Sequence, residues 1–352
     1  MLYENLVTEK ELLDFSQNFS VVRNAYLGSQ LFPARKVQYL QAEYYRAIEN
    51  GTLPQAAYVH AFDTEAHISD RVPLERVEVE ELLIKDKINM GERLRKTTQG
   101  MNPGTDALRN FIFDDIARQA EKVVTRVEIA NMDVIQNGKF TIDENNVALE
   151  IDYGIPSENI IDSEWDSDTD ILALILAWEE QARDKGAAPN TIVTTPKIAL
   201  AMRQNAGIQK AISGSANSGL IPTLDQLNAF LSQYTTGGIT IRTYDEAYGE
   251  LGKSGSKTVM TRKKFLEEGK FIMCALANGR LGDGLWGVTP EEEAQGNPFD
   301  SMRQQQYVTV TQKSEWDPVA YWTKATGLYL PVLANPKGHI IANVSLAADS
   351  EG

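Results

Sequence analysis

The chain has one cysteine, Cys274, in 352 residues, which excludes an intrachain disulfide. It lies in the apolar run FIMCALA, where it reads as a small buried hydrophobe on a strand, and such usage fits a reduced compartment. Long apolar runs are missing too. None reaches the ~18 to 20 residues that cross a bilayer. The opening MLYENLVTEKELLDF reads as a short amphipathic helix rather than a cationic leader followed by an apolar stretch, so the expectation is a soluble product made in the cytoplasm. Positive charge is in short supply, with 34 Lys and Arg against 49 Asp and Glu and a formal net charge of −15. That balance disfavours nonspecific adhesion to nucleic acid or to anionic membranes. With 42% hydrophobic and 24% charged residues, the chain is nonetheless ordinary globular protein, long enough for two or three cores.

Catalytic constellations are also lacking. The tempting AYGELGKS places Gly252-Lys253-Ser254 at phosphate-loop spacing from Ala247, but Ala247 replaces the leading glycine and GSKTVM, a turn and a strand, follows. A phosphate loop needs glycines whose N–H groups wrap the phosphates and a helix opening behind them. A nucleotide-dependent packaging enzyme therefore stands only as the alternative. The run from Gly282 to Gly287, GDGLWG, has dinucleotide-fingerprint spacing, yet Val288-Thr289-Pro290 follows where a helix should start. Asp166, Asp168 and Asp170 imitate a calcium loop, but Ile171 and Ala177 occupy the positions that need Gly and Glu. These acids suit the start of the next helix, whose dipole favours negative charge there. His60 and His67, with Asp63 and Glu65 between them, are better read as a solvated turn than a metal site, and His339 is remote in sequence. No Gly-x-Ser-x-Gly elbow exists, and Cys274 has no nearby His to activate it. The expectation is no enzyme, no metal and no cofactor.

What is present begins with residues 105–136, one helix of more than eight turns without Gly or Pro. Leu108, Ile112, Ile116, Ala120, Val123, Val127, Ala130 and Val134 recur at steps of three and four and form one narrow stripe, which leaves Asp114, Arg118, Lys122 and Arg126 off it. Pro103-Gly104 and Thr105 mark its start, and Asn137-Gly138 supplies a left-handed residue after its end. Its length, on the order of 45 Å, predicts a spine in a flat or elongated subunit; a coiled coil is the alternative, though the steps hold no strict heptad. Residues 1–34 carry apolar side chains without a period and need a partner surface. RKVQYLQAEYY and AAYVHAF have strand character. In VPLERVEVEELLIKDKINM, Val77 and Val79 alternate with Glu78 and Glu80 at period two. These runs predict a long hairpin over roughly 55–90 with a charged tip, and a two-stranded ribbon has no core of its own. After the spine come KFTI and VALEIDY as two strands, then helices and short strands alternating from about 157 to 312, with Pro196 behind a Thr cap and a capping box at Thr223 and Gln226. VAYWTKATGLYLPVL, helix or strand, and HIIANVSL straddle a turn at Asn335-Pro336-Lys337-Gly338 and predict a hairpin return.

The order and spacing of these pieces resembles the major capsid proteins of tailed bacteriophages, in particular the capsid protein E family typified by the phage lambda head. The resemblance is carried by LFPARKVQYLQAE, VPLERVEVEELLIKDKINM, the spine ending in QNGKFTI, TIVTTPKIALAMR, GRLGDGLWGVTPEE and WTKATGLYLPVLANPKGHIIANV, spread over nearly the whole chain. It implies an α+β Hong Kong 97-like fold: an N-terminal arm (1–34), an E-loop with flanking strands (35–98), a peripheral domain of spine and small sheet (99–156), an axial domain (157–312) and a return into the peripheral domain (313–352). It further implies a structural subunit of hexamers and pentamers in an icosahedral virion head around double-stranded DNA, assembled in the bacterial cytoplasm. The implied partners are a separate scaffolding protein and a portal, with or without a decoration protein, and with no membrane and no sequence-specific DNA contact. The E-loop tip, with His60, Asp63, Glu65, His67, Asp70, Arg71, Glu75 and Arg76, is then expected to meet a neighbouring subunit.

Overall fold

The computed structural model describes residues 26–38, 41–47, 74–91, 105–144, 147–214, 221–254, 257–294, 299, 301–305, 307–317 and 319–347. In chain order the first elements are α1 (Leu27–Leu31), β1 (Ala34–Lys36), β2 (Gln41–Ala47), β3 (Leu74–Glu80), β4 (Leu82–Gly91), α2 (Thr105–Asn137), β5 (Lys139–Glu144), β6 (Val147–Asp152) and β7 (Ile160–Trp165). A mixed region follows, with α3 (Ile171–Asp184), β8 (Thr191–Thr194), α4 (Pro196–Gln204), α5 (Ala206–Ser213), α6 (Leu224–Tyr234), β9 (Thr240–Thr243), β10 (Ala247–Ser254), β11 (Lys257–Lys264) and β12 (Lys270–Cys274). The chain continues through β13 (Gly282–Trp286), α7 (Pro290–Glu293), β14 (Ser301–Gln305), β15 (Val308–Trp316), β16 (Val319–Leu333) and β17 (Ile340–Leu346). The described residues form two compact units. One draws on residues 26–42, 79–131 and 283–332, and the other on 43–78, 132–282 and 333–347.

The first unit is a sheet in the order β1-β13-β16-β15-β14, with β4 also paired to β16. β16 is 15 residues long; Thr323, Lys324 and Ala325 each face a residue of β15 and one of β4. The expected stripe of α2 is buried here at Ile116, Ala120, Val123, Val127 and Ala130, at about 1.5 to 3 kcal/mol for each large apolar side chain removed from water. At Gly327 the helix packs closely on β16. A Cβ there would sit 3.0 Å from Val123 Cγ1 and 3.1 Å from the Trp286 ring. Trp286 in turn meets Tyr329 edge-on with centroids 4.9 Å apart, and the Tyr329 hydroxyl donates to Asn131 Oδ1 at 2.6 Å. Burial pushes that phenol above its ordinary pKa, so the hydroxyl stays a donor.

The second unit is a five-stranded sheet, β7-β17-β12-β8-β9, and its core includes apolar residues of α3, α4, α5 and α6. Phe271 on β12 lies between Trp165 and Trp178, at 5.6 and 5.4 Å between ring centroids. Local chemistry sets the helix ends. Asp170 accepts from the Ala173 N–H at 3.0 Å, Thr195 caps α4 with Pro196 in its first turn, and Thr223 and Gln226 close their capping box. α2 ends where Gly138 takes φ +64°, and an alanine there would also drive its Cβ to 2.3 Å from Ile155.

Three placements differ from the sequence reading. β17 does not form a hairpin with β16: it pairs with β12 and β7 in the second sheet. Ile340, Ile341, Ala342 and Val344 are all buried, and side chains apolar on both faces need the middle of a covered sheet. The change of unit comes at residue 282 rather than 312, because β14 and β15 pair into the sheet of β16. The partner of β3 is β2, at 41–47, whereas the expected outgoing strand AAYVHAF lies outside the described residues.

Candidate assembly elements

β2 and β3 form a separate two-stranded sheet, with residues 48–73 between them in the chain. Among the described residues neither strand pairs with a third. Of the residues expected at the tip, His60, Asp63, Glu65, His67, Asp70 and Arg71 lie outside the described residues, while Glu75 and Arg76 fall on β3. The structure therefore places these last two on the ribbon's returning strand.

Between β3 and β4 stands Glu81, which sequence reasoning passed over. Val77 and Val79 set a period-two apolar phase, and Glu81 occupies the next position of that phase, so a carboxyl lands where an apolar residue is called for. It is 5% exposed, and neither carboxyl oxygen has a hydrogen-bond partner among the described residues. Burial pushes its pKa up to about 7 while Lys36 pulls the other way. Gly287 is required beneath it, since a Cβ there would lie 1.8 Å from Oε2.

Several charged groups of the same unit are paired. Lys36 Nζ donates to Glu292 at 3.1 and 3.2 Å, and the Thr289 and Thr309 hydroxyls donate to the same carboxylate at 3.0 and 2.8 Å. Burial works against ionisation of Glu292, but the Thr309 bond, the Thr289 N–H and Lys36 together hold its pKa below the ordinary value. Lys324 pairs with Glu291. Lys87 on β4 lies 4.6 Å from the centre of the Trp322 ring, and Lys85 and Lys87 are in register with Thr326 and Lys324. At the chain's beginning, Glu128 of α2 accepts from the Gly28 N–H at 2.8 Å and from the Ser29 N–H and hydroxyl at 3.0 and 3.2 Å. This ties α1 to the spine.

None of this is an active site in form. AYGELGKS is strand β10, paired from Ala247↔Lys264 to Ser254↔Lys257; its backbone is extended and cannot wrap a phosphate, so the nucleotide alternative falls. Cys274 is buried and its thiol pushed up to about 12 by desolvation, which leaves almost no nucleophilic thiolate. His339 is buried with Nε2 2.7 Å from the Ile135 carbonyl oxygen, and burial pushes its pKa down to about 4 despite that bond. Among the described residues no group of three or more His, Cys, Asp and Glu could hold a metal ion, and no helix is long and apolar enough to cross a membrane.

Solved structures share this architecture across almost the whole chain. A prophage protein from E. coli CFT073, described as a capsid protein, matches with TM-score 0.61 at 17% identity over 96% of this chain and 99% of its own. A phage-related protein from Bordetella bronchiseptica RB50 matches at 0.50 and 9%, over 96% and 97%. The mature capsid of bacteriophage PhiM1 matches at 0.50 and 10%, over 93% and 89%. A comparison with curated proteins gives no match. The fold is thus the mixed α+β, Hong Kong 97-like fold of phage capsid proteins. The family described as phage major capsid protein E matches residues 17–344, and the chain belongs to that family. It is a structural, non-enzymatic capsid protein of the virion that assembles with copies of itself.

Proposed function

We propose that the chain forms hexamers and pentamers of an icosahedral head around double-stranded DNA, and that the β2–β3 ribbon with residues 48–73 is an E-loop lying over a neighbouring subunit. The carrying observation is the two-stranded ribbon that, among the described residues, pairs with no third strand, since such a ribbon is marginal in water without a surface to lie on. His60, Asp63, Glu65, His67, Asp70, Arg71, Glu75 and Arg76 are the proposed contacts. Residues 1–34 serve as an arm and the second unit supplies the axial domain. A scaffolding protein and a portal, with or without a decoration protein, complete a head assembled in the host cytoplasm. The net charge of −15 suits a shell that must let DNA slide during packaging. Deleting residues 64–70 is expected to leave the subunit's cooperative melting intact and to abolish shells in sedimentation and electron microscopy. Wild-type assembly by the deletion variant, or loss of its melting transition, sinks the E-loop assignment.

The same reading predicts a shell without covalent cross-links through the E-loop. Amide-bond formation there needs a neutral Lys amine, and residues 59–84 contain only Arg71 and Arg76, whose guanidinium groups stay protonated. Lys85 and Lys87 are held in β4 against β16. Boiled, denatured particles should run as one band near 39.1 kDa; a ladder of multimers overturns the prediction.

A further inference from the structure

The second unit carries two surface features of opposite charge that the E-loop reading does not use. The first is the ribbon β10–β11, whose strands pair with each other and, among the described residues, with no third strand. Residues 247–264 hold five cations against the single acid Glu250, in a chain that is acidic as a whole. Met260 is 70% exposed and Val259 45%, and the register puts Leu251 opposite Met260 and Lys253 opposite Thr258. Glu250 is taken by Lys263, and Lys264 pairs with Asp245 and Glu268 at the ribbon's root. The other cations in the ribbon's sequence are Lys253, Lys257 and Arg262.

The second feature is the outer edge of the five-stranded sheet. β7 pairs with β17 on one side and, among the described residues, with nothing on the other. Its alternation exposes Ile160, Asp162 and Glu164 in a row, and Asp166, Asp168 and Asp170 follow, so residues 160–170 hold five acids and no cation. A cleft of about 460 Å³ lined in part by Asp162, Glu164, Ser345 and Glu268 opens beside this edge. An acidic strand edge with one exposed apolar residue matches a basic ribbon with exposed Met260 and Val259 in both charge and apolar content, and an open edge offers unpaired N–H and C=O groups to an incoming strand.

Resting on the capsid reading above, we propose that the β10–β11 ribbon of one subunit docks on the β7 edge, residues 160–170, of a second copy of this chain. Because the two patches are different surfaces, the contact is heterologous, and repeated head to tail it closes into a ring when its rotation matches that of the proposed capsomers. Lys253, Lys257 and Arg262 supply the cations; Asp162, Glu164 and Asp168 supply the acids, while Asp170 stays the helix cap and Asp166 holds its turn with Thr169.

The experiment uses two charge-reversed versions of the full chain, K253E/K257E/R262E and D162K/E164K/D168K. Each alone presents like charges across every contact and is expected to stay monomeric in sedimentation while melting as wild type. An equimolar mixture restores attraction at every contact only when the two versions alternate, so it should form rings of even number, hexamers but no pentamers, seen by electron microscopy. Wild-type assembly by either variant overturns the docking, and so does a mixture of two folded variants that stays monomeric. Should a reversed variant fail to melt cooperatively, the neutral sets K253Q/K257Q/R262Q and D162N/E164Q/D168N replace them. Both are expected to weaken ring formation and reduce its sensitivity to salt between 0.1 and 1 M, where screening shortens from about 10 to 3 Å; unchanged salt sensitivity overturns the proposal equally. Failure of the wild-type chain itself to assemble would instead overturn the capsomer reading on which this contact rests.

Discussion

Glu81→Gln is expected to leave the stability of the first unit nearly unchanged at pH 4 and to raise it by about 3 kcal/mol at pH 8. The carboxyl titrates near its ordinary 4.5 when unfolded and at about 7 in the fold, so the folded state holds the proton more tightly. Stability from this group is fully present below pH 4.5 and is lost as pH rises through 7. Each unit of pKa difference corresponds to about 1.4 kcal/mol, which gives the size of the loss. Glutamine imitates the protonated acid in size and neutrality, and so removes the pH dependence while keeping the same buried polar burden. Lys36 is the cation that moderates the shift, and its own pairing with Glu292 limits how much it can offer. Denaturant melts of wild type and variant at pH 4, 6 and 8 isolate Glu81, because every other titrating group is common to both. A difference that does not grow with pH would show that the carboxyl is solvated or paired in solution. Since Glu81 joins β3 to β4, the same titration bears on the root of the proposed E-loop.

The spine was legible because a stripe at steps of three and four, unbroken by Gly or Pro, admits one reading, and because Gly138 can adopt the positive φ that ends it. The period-two run at Val77 and Val79 and the capping box at Thr223 were legible for the same reason: each is a local pattern with a local cause. What was not legible is set by contacts distant in sequence. β10 contains Gly249 and Gly252, which weaken strand propensity, and only pairing with β11 makes it a strand. β16, read as helix or strand, is decided by β4 and β15 arriving from both sides. Whether HIIANVSL returns to β16 or crosses to β12 cannot be told from its own residues. Glu81 left a trace, as a charged residue in an apolar phase. The burial of Glu128 left none, because on a helix read by its apolar stripe Glu128 looks like one more solvated acid.

Glu128→Ala is accordingly expected to cost the first unit about 2 to 4 kcal/mol and to release α1. α1 begins at Tyr26 with no side-chain cap of its own, and its free N–H groups are met instead by Glu128, which is 0% exposed. Removing the carboxylate strands the buried Gly28 N–H away from water, at about 1 to 3 kcal/mol for an unsatisfied buried group, while Ser29 is exposed and its N–H can turn to solvent. The cavity adds to that, because α1 is too close to the spine for the gap to be filled from the α1 side. A Cβ on Gly28 would already lie 2.6 Å from Asn131 Cβ. Leu31 and Phe32, both buried, would lose their seat with α1. The adjoining β1 would then hold through its three-residue pairing to β13 and the Lys36–Glu292 ion pair. Glu128→Gln keeps the volume and one acceptor but turns an amide N–H toward a backbone N–H, so it should fall between alanine and wild type. Urea unfolding gives the energies, and limited proteolysis reports release of α1 as faster cleavage within residues 26–36. An alanine variant within 1 kcal/mol of wild type and equally protected would mean that α1 is held by Leu31 and Phe32 alone, with the carboxylate contributing nothing beyond its own desolvation.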